Sequence, residues 1–368
     1  MTKTKTQTKT RKGAAKAGTK TKSKKPKYNK RERRAQIKEQ VANALIEQMK
    51  KGVRPWEKPW EGGVGGLPMR VAAKKPYRGI NVWWLMTEAM NNGYKSNEWG
   101  TFNQWKKIAT SHALKNGDWE WAETKDGKRY KKTTKWYGIK KAQKSTVVIY
   151  WNMLVFPDKD DPDSFKKIPM MDWFNVFNRD QTGLPPLPKP KATKTLKGKR
   201  RIKAENEVDE IIKLNGVDFR EKGSKAFYTV GQDFVQVPVR DDFKSIEGRL
   251  STILHELTHW TGNPGRLNRD MSGMFGSEDY AHEELVAEMG AALLCAAISI
   301  PNKMAEEGLE NHAAYLANWM KKIRDAKDGG VDFIFKAAAK SQKAAELLMP
   351  DFFGVEDKKV EDKKAGDE

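Results

Sequence analysis

The chain has 368 residues, 32% of them charged, and a formal net charge of +22. That length gives room for two domains of ordinary size, and the charge points to a polyanionic partner. The one cysteine, Cys295, excludes an internal disulfide, and no uninterrupted apolar run approaches the roughly 20 residues a membrane span needs. A secreted or membrane-embedded enzyme is therefore disfavoured, and a cytoplasmic setting is expected.

The charge is not spread evenly. Residues 1–34 hold 15 Lys or Arg against Glu32 alone, residues 186–203 hold eight with no acid, and these two segments account for the whole surplus. Residues 35–185 are basic by 10 and residues 204–368 acidic by 10. The expected organisation is a disordered basic arm (1–34), a basic domain (35–185), a basic Pro-rich linker (186–203), a second domain (204–354) and a disordered mixed-charge tail (355–368).

In chain order, Ile37, Val41, Leu45, Ile46 and Met49 recur at helical spacing from Arg33 to Lys50. Two prolines then end the helix in Pro55-Trp56-Glu57-Lys58-Pro59-Trp60. A second helix is expected from Val82 to Met90, and a third after Thr101, a plausible N-cap. Trp119 to Trp136 alternates around Asp126-Gly127 and predicts a β-hairpin. The β-branched and aromatic run Ser145–Phe156 predicts a central strand, with another over Asp172–Asn178.

Eleven of the 13 tryptophans fall in residues 35–185, interleaved with Lys and Arg. Exposed rings among cations suit single-stranded nucleic acid, whose bases stack at about 1–3 kcal/mol each while cations follow the backbone. Such binding is expected to persist in a fragment ending near Pro185.

The second half is expected to open with a helix over Glu205–Asn215 and two short strands, Ala226–Val230 and Asp233–Val239, turning at Gly231. The chemistry is concentrated in Leu254-His255-Glu256-Leu257-Thr258-His259-Trp260, an H-E-x-x-H pattern. On a helix, His255 and His259 project side by side as zinc ligands and Glu256 is placed to act as the general base. Gly262 supplies a stop, and helices over Tyr280–Ile300, Leu309–Lys327 and Val331–Met349 complete the domain.

A third histidine is absent where one common zinc-protease pattern has it, because that position is Gly265. The third ligand is then expected from His282-Glu283-Glu284-Leu285-Val286-Ala287-Glu288. Glu284 is taken as the ligand and Glu288 as the carboxylate orienting a ligand histidine from behind. Glu283 and His282 remain alternatives. The fold class is α+β in two domains, the second mainly helical with a small β-sheet.

Residues 35–185 resemble the N-terminal single-stranded-DNA-binding domain of ArdC-type antirestriction proteins. The match is carried by Pro55-Trp56 with Pro59-Trp60, Tyr77-Arg78-Gly79-Ile80-Asn81, Trp99 with Thr101-Phe102 and Gln104, Lys144-Ser145, and Phe177-Asn178 with Gln181. Residues 204–350 are similar to the zincin-like metallopeptidase domain that follows it, through His255 to Gly262, Arg266-Leu267, Tyr280-Ala281 and Glu283 to Glu288. The resemblance implies binding of single-stranded DNA and its protection from restriction, in proteins carried by plasmids and phages, with a zinc-dependent peptidase domain; a protein substrate is a candidate partner that the resemblance does not establish. Trp56, Trp60, Tyr77, Arg78, Asn81, Trp99, Phe102 and Lys144 are the matched candidates for DNA contact. Two other readings stand beside it: a DNA-protecting protein whose metal is structural, and a part of a larger conjugation or primase-associated protein.

Overall fold

The computed structural model describes residues 29–54, 56, 66–157, 165–187, 196–273, 278–307 and 312–354. Most of the basic arm, Trp60, the middle of the linker and the acidic-basic tail lie outside the described residues. Among the described residues, no helix is long and apolar enough to cross a membrane.

The first half contains α1 (Lys30–Lys50), β1 (Met69–Arg70), β2 (Lys75–Pro76), α2 (Ile80–Asn92), β3 (Glu98–Gly100), α3 (Phe102–Lys115), β4 (Trp119–Glu123), β5 (Arg129–Thr133), β6 (Thr146–Pro157) and β7 (Phe165–Asn178). α1 begins three residues before the expected start, because Asn29 caps the Arg31 amide. α3 starts on a full capping box between Thr101 and Gln104. The β4–β5 hairpin turns through Gly127 at a φ of 74°, a left-handed conformation that glycine adopts without strain.

The five-stranded sheet runs in the order β2-β1-β3-β7-β6, so the run expected as a central strand lies at an edge. α2 covers the first part of that edge, from Val147 to Ile149, whereas Trp151, Met153, Val155 and Phe156 further along β6 are exposed. Asn81 brackets Ile149, donating to its carbonyl at 2.6 Å and accepting from its amide at 2.9 Å, while Trp84 Nε1 donates to the Val147 carbonyl at 2.7 Å. Backbone groups that Val147 and Ile149 would otherwise present to another chain are thereby satisfied.

The second half contains α4 (Gly198–Leu214), β8 (Asp218–Glu221), β9 (Phe227–Thr229), β10 (Phe234–Val237), α5 (Ile246–Trp260), α6 (Glu278–Ala297), α7 (Met304–Glu307), α8 (His312–Asp325), α9 (Val331–Leu348) and α10 (Pro350–Phe353). The basic end of the expected linker is thus the first turn of α4. β10 is the middle strand of three, antiparallel to β9 and parallel to β8, and β8 was not anticipated. The turn before β10 places Asp233, rather than Gly231, at positive φ.

α5 is buried on every side from Glu247 to Trp260, so it is a central helix and not a half-exposed one. Ser245 caps its first turn, and the Glu307 carboxylate accepts from the Lys244 and Ser245 amides at 2.7 and 3.2 Å. Negative charge there also suits the positive end of the helix dipole.

One hydrophobic core runs through both halves. Trp56 sits fully buried between Trp83 of α2 and Trp319 of α8, edge-on to both, at 6.4 and 5.9 Å. Polar ties cross the same interface: Lys38 to Asp332 at 2.6 Å, Arg78 to Glu346, and the Gly79 amide to Gln342 at 3.0 Å.

Candidate metal centre and nucleic-acid surface

Helical spacing brings His255 and His259 onto one face of α5, and α6 crosses that face close enough to insert Glu284. The close crossing needs Gly290: a Cβ there would stand 2.4 Å from the Thr258 methyl. The two Nε2 atoms lie 3.1 Å apart, and each is 3.5 Å from a different oxygen of the Glu284 carboxylate. Among the described residues, His255, His259 and Glu284 form the group able to hold a metal ion.

These residues fit a divalent metal. Ligand atoms around a tetrahedral ion at about 2.0–2.1 Å stand roughly 3.3 Å from one another; the two Nε2 atoms are 3.1 Å apart and each lies 3.5 Å from one of the two Glu284 oxygens, so the three side chains converge on that scale. Glu284 Oε2 is buried yet accepts no hydrogen bond, an arrangement that is costly unless a cation takes the lone pair. Glu256 is buried beside the pair on the same helix.

Behind His259 stands Glu283. Its Oε1 is 3.1 Å from His259 Nδ1, and Arg269 donates to both of its oxygens at 2.7 to 3.2 Å. Arg269 is itself fixed by Thr261 Oγ1 and the Thr258 carbonyl, each at 2.7 Å. Burial alone would raise the Glu283 carboxyl, but His259 and Arg269 together hold it below the usual range. Burial opposes charge on His259, yet Glu284 and Glu283 hold its pKa well above normal. The pair therefore favours positive charge at the position where three ligand atoms converge, which is what a dication supplies.

Glu288, expected behind a histidine, is one helical turn further along. Its oxygens accept from Arg54 at 3.3 Å and from Trp56 Nε1 at 3.1 Å, so the carboxylate found against His259 is that of Glu283. His282 faces α9, edge-on to Phe333 at 5.2 Å, and its burial lowers its pKa to about 4. Sequence reasoning missed Arg269 altogether; its only signal is a cation nine residues beyond the end of α5, three after Arg266.

Comparison with known proteins agrees with this geometry. Residues 35–177 match the family model of the N-terminal domain of anti-restriction factor ArdC, and residues 206–340 match that of a zincin-like metallopeptidase. The crystal structure of the antirestriction ArdC protein from the R388 plasmid, metal-free, superposes with a TM-score of 0.63 at 28% identity, over 87% of this chain and 98% of that one. The chain belongs to the ArdC-type family.

The Mn(II)-bound structure of the same plasmid protein matches with a TM-score of 0.62 at 28% identity, over 85% of this chain and 97% of that one. A DNA primase TraC of Escherichia coli is 30% identical over 84% of this chain, but the match spans 27% of the primase. An uncharacterized protein, y4eC, of Sinorhizobium fredii is 28% identical over 85% of this chain and 91% of its own length.

In this ArdC-type chain, several candidates for DNA contact are engaged within the fold, and Tyr77, Arg78 and Asn81 line one groove. Trp56, Tyr77 and Trp99 are buried, so their ring faces are used by the core and cannot stack on bases. Asn81 is spent on bracketing Ile149, and Arg78 on Glu346. Their composition could not reveal this, because a core tryptophan and a stacking tryptophan look alike in sequence. Phe102 is exposed and lies 6.5 Å from exposed Trp136; Lys144 is also exposed. Trp60 lies outside the described residues.

Besides Phe102, exposed rings of the first half include Trp121 and Tyr130 of the β4–β5 hairpin, Trp136, and Tyr150, Trp151, Phe156, Phe165 and Phe174 of β6 and β7. Arg129 lies 4.7 Å over Trp121, and Lys131 3.8 Å over Trp119. Rings and cations thus alternate on the surface, which is the arrangement single strands use.

Proposed function

We propose that this is a single-stranded-DNA-binding antirestriction protein of a mobile element, carrying a zinc-dependent peptidase centre in its second domain. The observation that carries the reading is the joint presence of a His255, His259 and Glu284 cluster with Glu256 beside it, and of a basic surface with exposed aromatic rings. A bound zinc ion would lower the pKa of a water and polarise a carbonyl. Glu256 would take the proton from the attacking water and pass it to the leaving amine. The outer edge of β9, which packs against α5, offers a line of backbone groups on which a peptide could lie as an added strand.

The test has two parts. Purified protein is expected to hold about one zinc per chain, lost on His255→Ala or His259→Ala and kept on Glu256→Ala, which abolishes peptide cleavage. Affinity for a single-stranded oligonucleotide is expected to fall steeply with salt. Absence of metal from the parent protein refutes the enzyme half, and salt-insensitive or absent DNA binding refutes the other.

One observation favours a second reading, in which the metal is structural: His255, Glu256 and Glu284 are all less than 5% exposed. If Glu256→Ala leaves protection of DNA from restriction intact, that reading stands and catalysis is not what protects DNA.

A further inference from the structure

One face of α9 belongs to the metal-site domain but walls a groove of about 840 Å3 whose other side is the N-terminal domain. Phe335, Lys336, Ala339, Gln342 and Lys343 share that face at helical spacing. Tyr150, Trp151 and Phe174 stand across from them on β6 and β7. Five cations line the groove against two carboxylates, Asp332 and Glu346, and these are already held by Lys38 and Arg78. Arg70, Lys336 and Lys343 remain exposed on its rim.

The aromatic side is equally fixed. The Asn81 bracket on Ile149 pins β6 immediately before Tyr150 and Trp151. Tyr150 leans on Phe174 at 5.6 Å, and Trp151 is 56% exposed. Rings offered in an open groove serve bases that are already unstacked, whereas a duplex keeps its base faces covered.

We propose that this groove is the single-stranded DNA site and that both domains build it, with phosphates on Arg70, Lys336 and Lys343 and bases on Tyr150 and Trp151. The inference rests on the DNA-binding reading above and adds to it that a helix of the metal-site domain is part of the DNA site. Asn81 then acts as a positioning residue for the two rings and not as a contact.

The experiment uses the full chain and a fluorescein-labelled oligo-dT. Lys336→Glu with Lys343→Glu is expected to weaken binding at least tenfold and to reduce the slope of log K against log salt by about 1.4, since each single-strand phosphate contact contributes about 0.7. Trp151→Ala is expected to weaken binding about tenfold with the slope unchanged, whereas Lys131→Glu on the β4–β5 hairpin has a smaller effect than either. Unchanged zinc content and melting temperature establish that the variants are folded. Parent affinity retained by both groove variants overturns the groove and leaves the DNA-binding reading standing; a parent that binds no DNA overturns both. Photocrosslinking of the parent to bromodeoxyuridine oligonucleotides gives an independent readout: adducts on Tyr150, Trp151 or Phe335 support the site, and adducts confined to Trp121, Tyr130 or Trp136 refute it.

Discussion

Arg269→Leu removes a single cation and should disturb the metal centre without touching a ligand. In the native fold the guanidinium makes three contacts to Glu283 and one each to Thr261 and the Thr258 carbonyl, all buried. Its loss leaves the Glu283 carboxylate facing His259 alone. Breaking one partner of a buried charge pair costs about 3–5 kcal/mol, because the remaining charge is neither solvated nor paired. For a chain of this size, that corresponds to a fall in melting temperature of roughly 4–7 °C.

The same change acts on metal binding. Arg269 and His259 are what keep the Glu283 carboxyl below its normal range against the effect of burial. With Arg269 gone, Glu283 is expected to take up a proton more readily and to hold the His259 ring less firmly. Loss of such outer support weakens metal affinity by about 10–100-fold. The assays are thermal denaturation of the chelated protein and zinc titration against a competing chromophoric chelator. Arg269→Leu combined with Glu283→Gln, which removes both charges, should recover at least half of the lost stability but none of the lost affinity. The reasoning fails if the single variant loses less than 1 kcal/mol, or if the double variant is no more stable than the single one.

Three further expectations can be checked in the same protein. Gly290→Ala places a Cβ against the Thr258 side chain, so α6 must move off α5, with a cost of about 1–3 kcal/mol and a weaker metal site; differential scanning calorimetry and zinc titration read the two effects. The Cys295 thiol is buried and its pKa pushed up to about 12, so it should resist a disulfide-exchange reagent at pH 8 for as long as the chain is folded, and react at the rate of unfolding. Trp56→Phe keeps the buried ring but deletes the donor to Glu288, and is expected to cost about 1–3 kcal/mol by chemical denaturation.

How far the sequence revealed these features depends on the kind of signal each one has. The β4–β5 hairpin and the capped α3 were legible because Asp126-Gly127 and Thr101 to Gln104 are local chemistries that nothing distant overrides. The edge position of β6 was not, because the cover over its backbone at Val147 and Ile149 depends on α2 lying across it, and no pattern within residues 146–157 records that. The pairing of His255 with His259 follows from helical spacing alone. Which carboxylate faces them depends on the rotational phase of α6, and that is set by contacts such as Gly290 on Thr258, some 30 residues apart. Arg269 is the extreme case: its role exists only once the loop after α5 folds back under Glu283.

Composition divides the chain into a basic and an acidic half, yet packing joins them. α6 carries Glu284 toward the histidines and, one turn later, Glu288 toward Arg54 and Trp56 of the other half. Trp56 is covered partly by Trp319, and α1 packs against α8 and α9, so a fragment ending near Pro185 would uncover a tryptophan and one face of α1. Each large side chain so exposed forfeits about 1.5–3 kcal/mol, and losing several would remove most of the 5–15 kcal/mol that keeps a typical domain folded. Contrary to the expectation from composition, such a fragment should therefore bind single-stranded DNA poorly and melt at a lower temperature than the whole chain. Circular dichroism melting of the fragment, followed by oligonucleotide titration below its midpoint, decides the matter. A fragment that melts as high as the whole chain would show that the shared core contributes nothing to the stability of the first half.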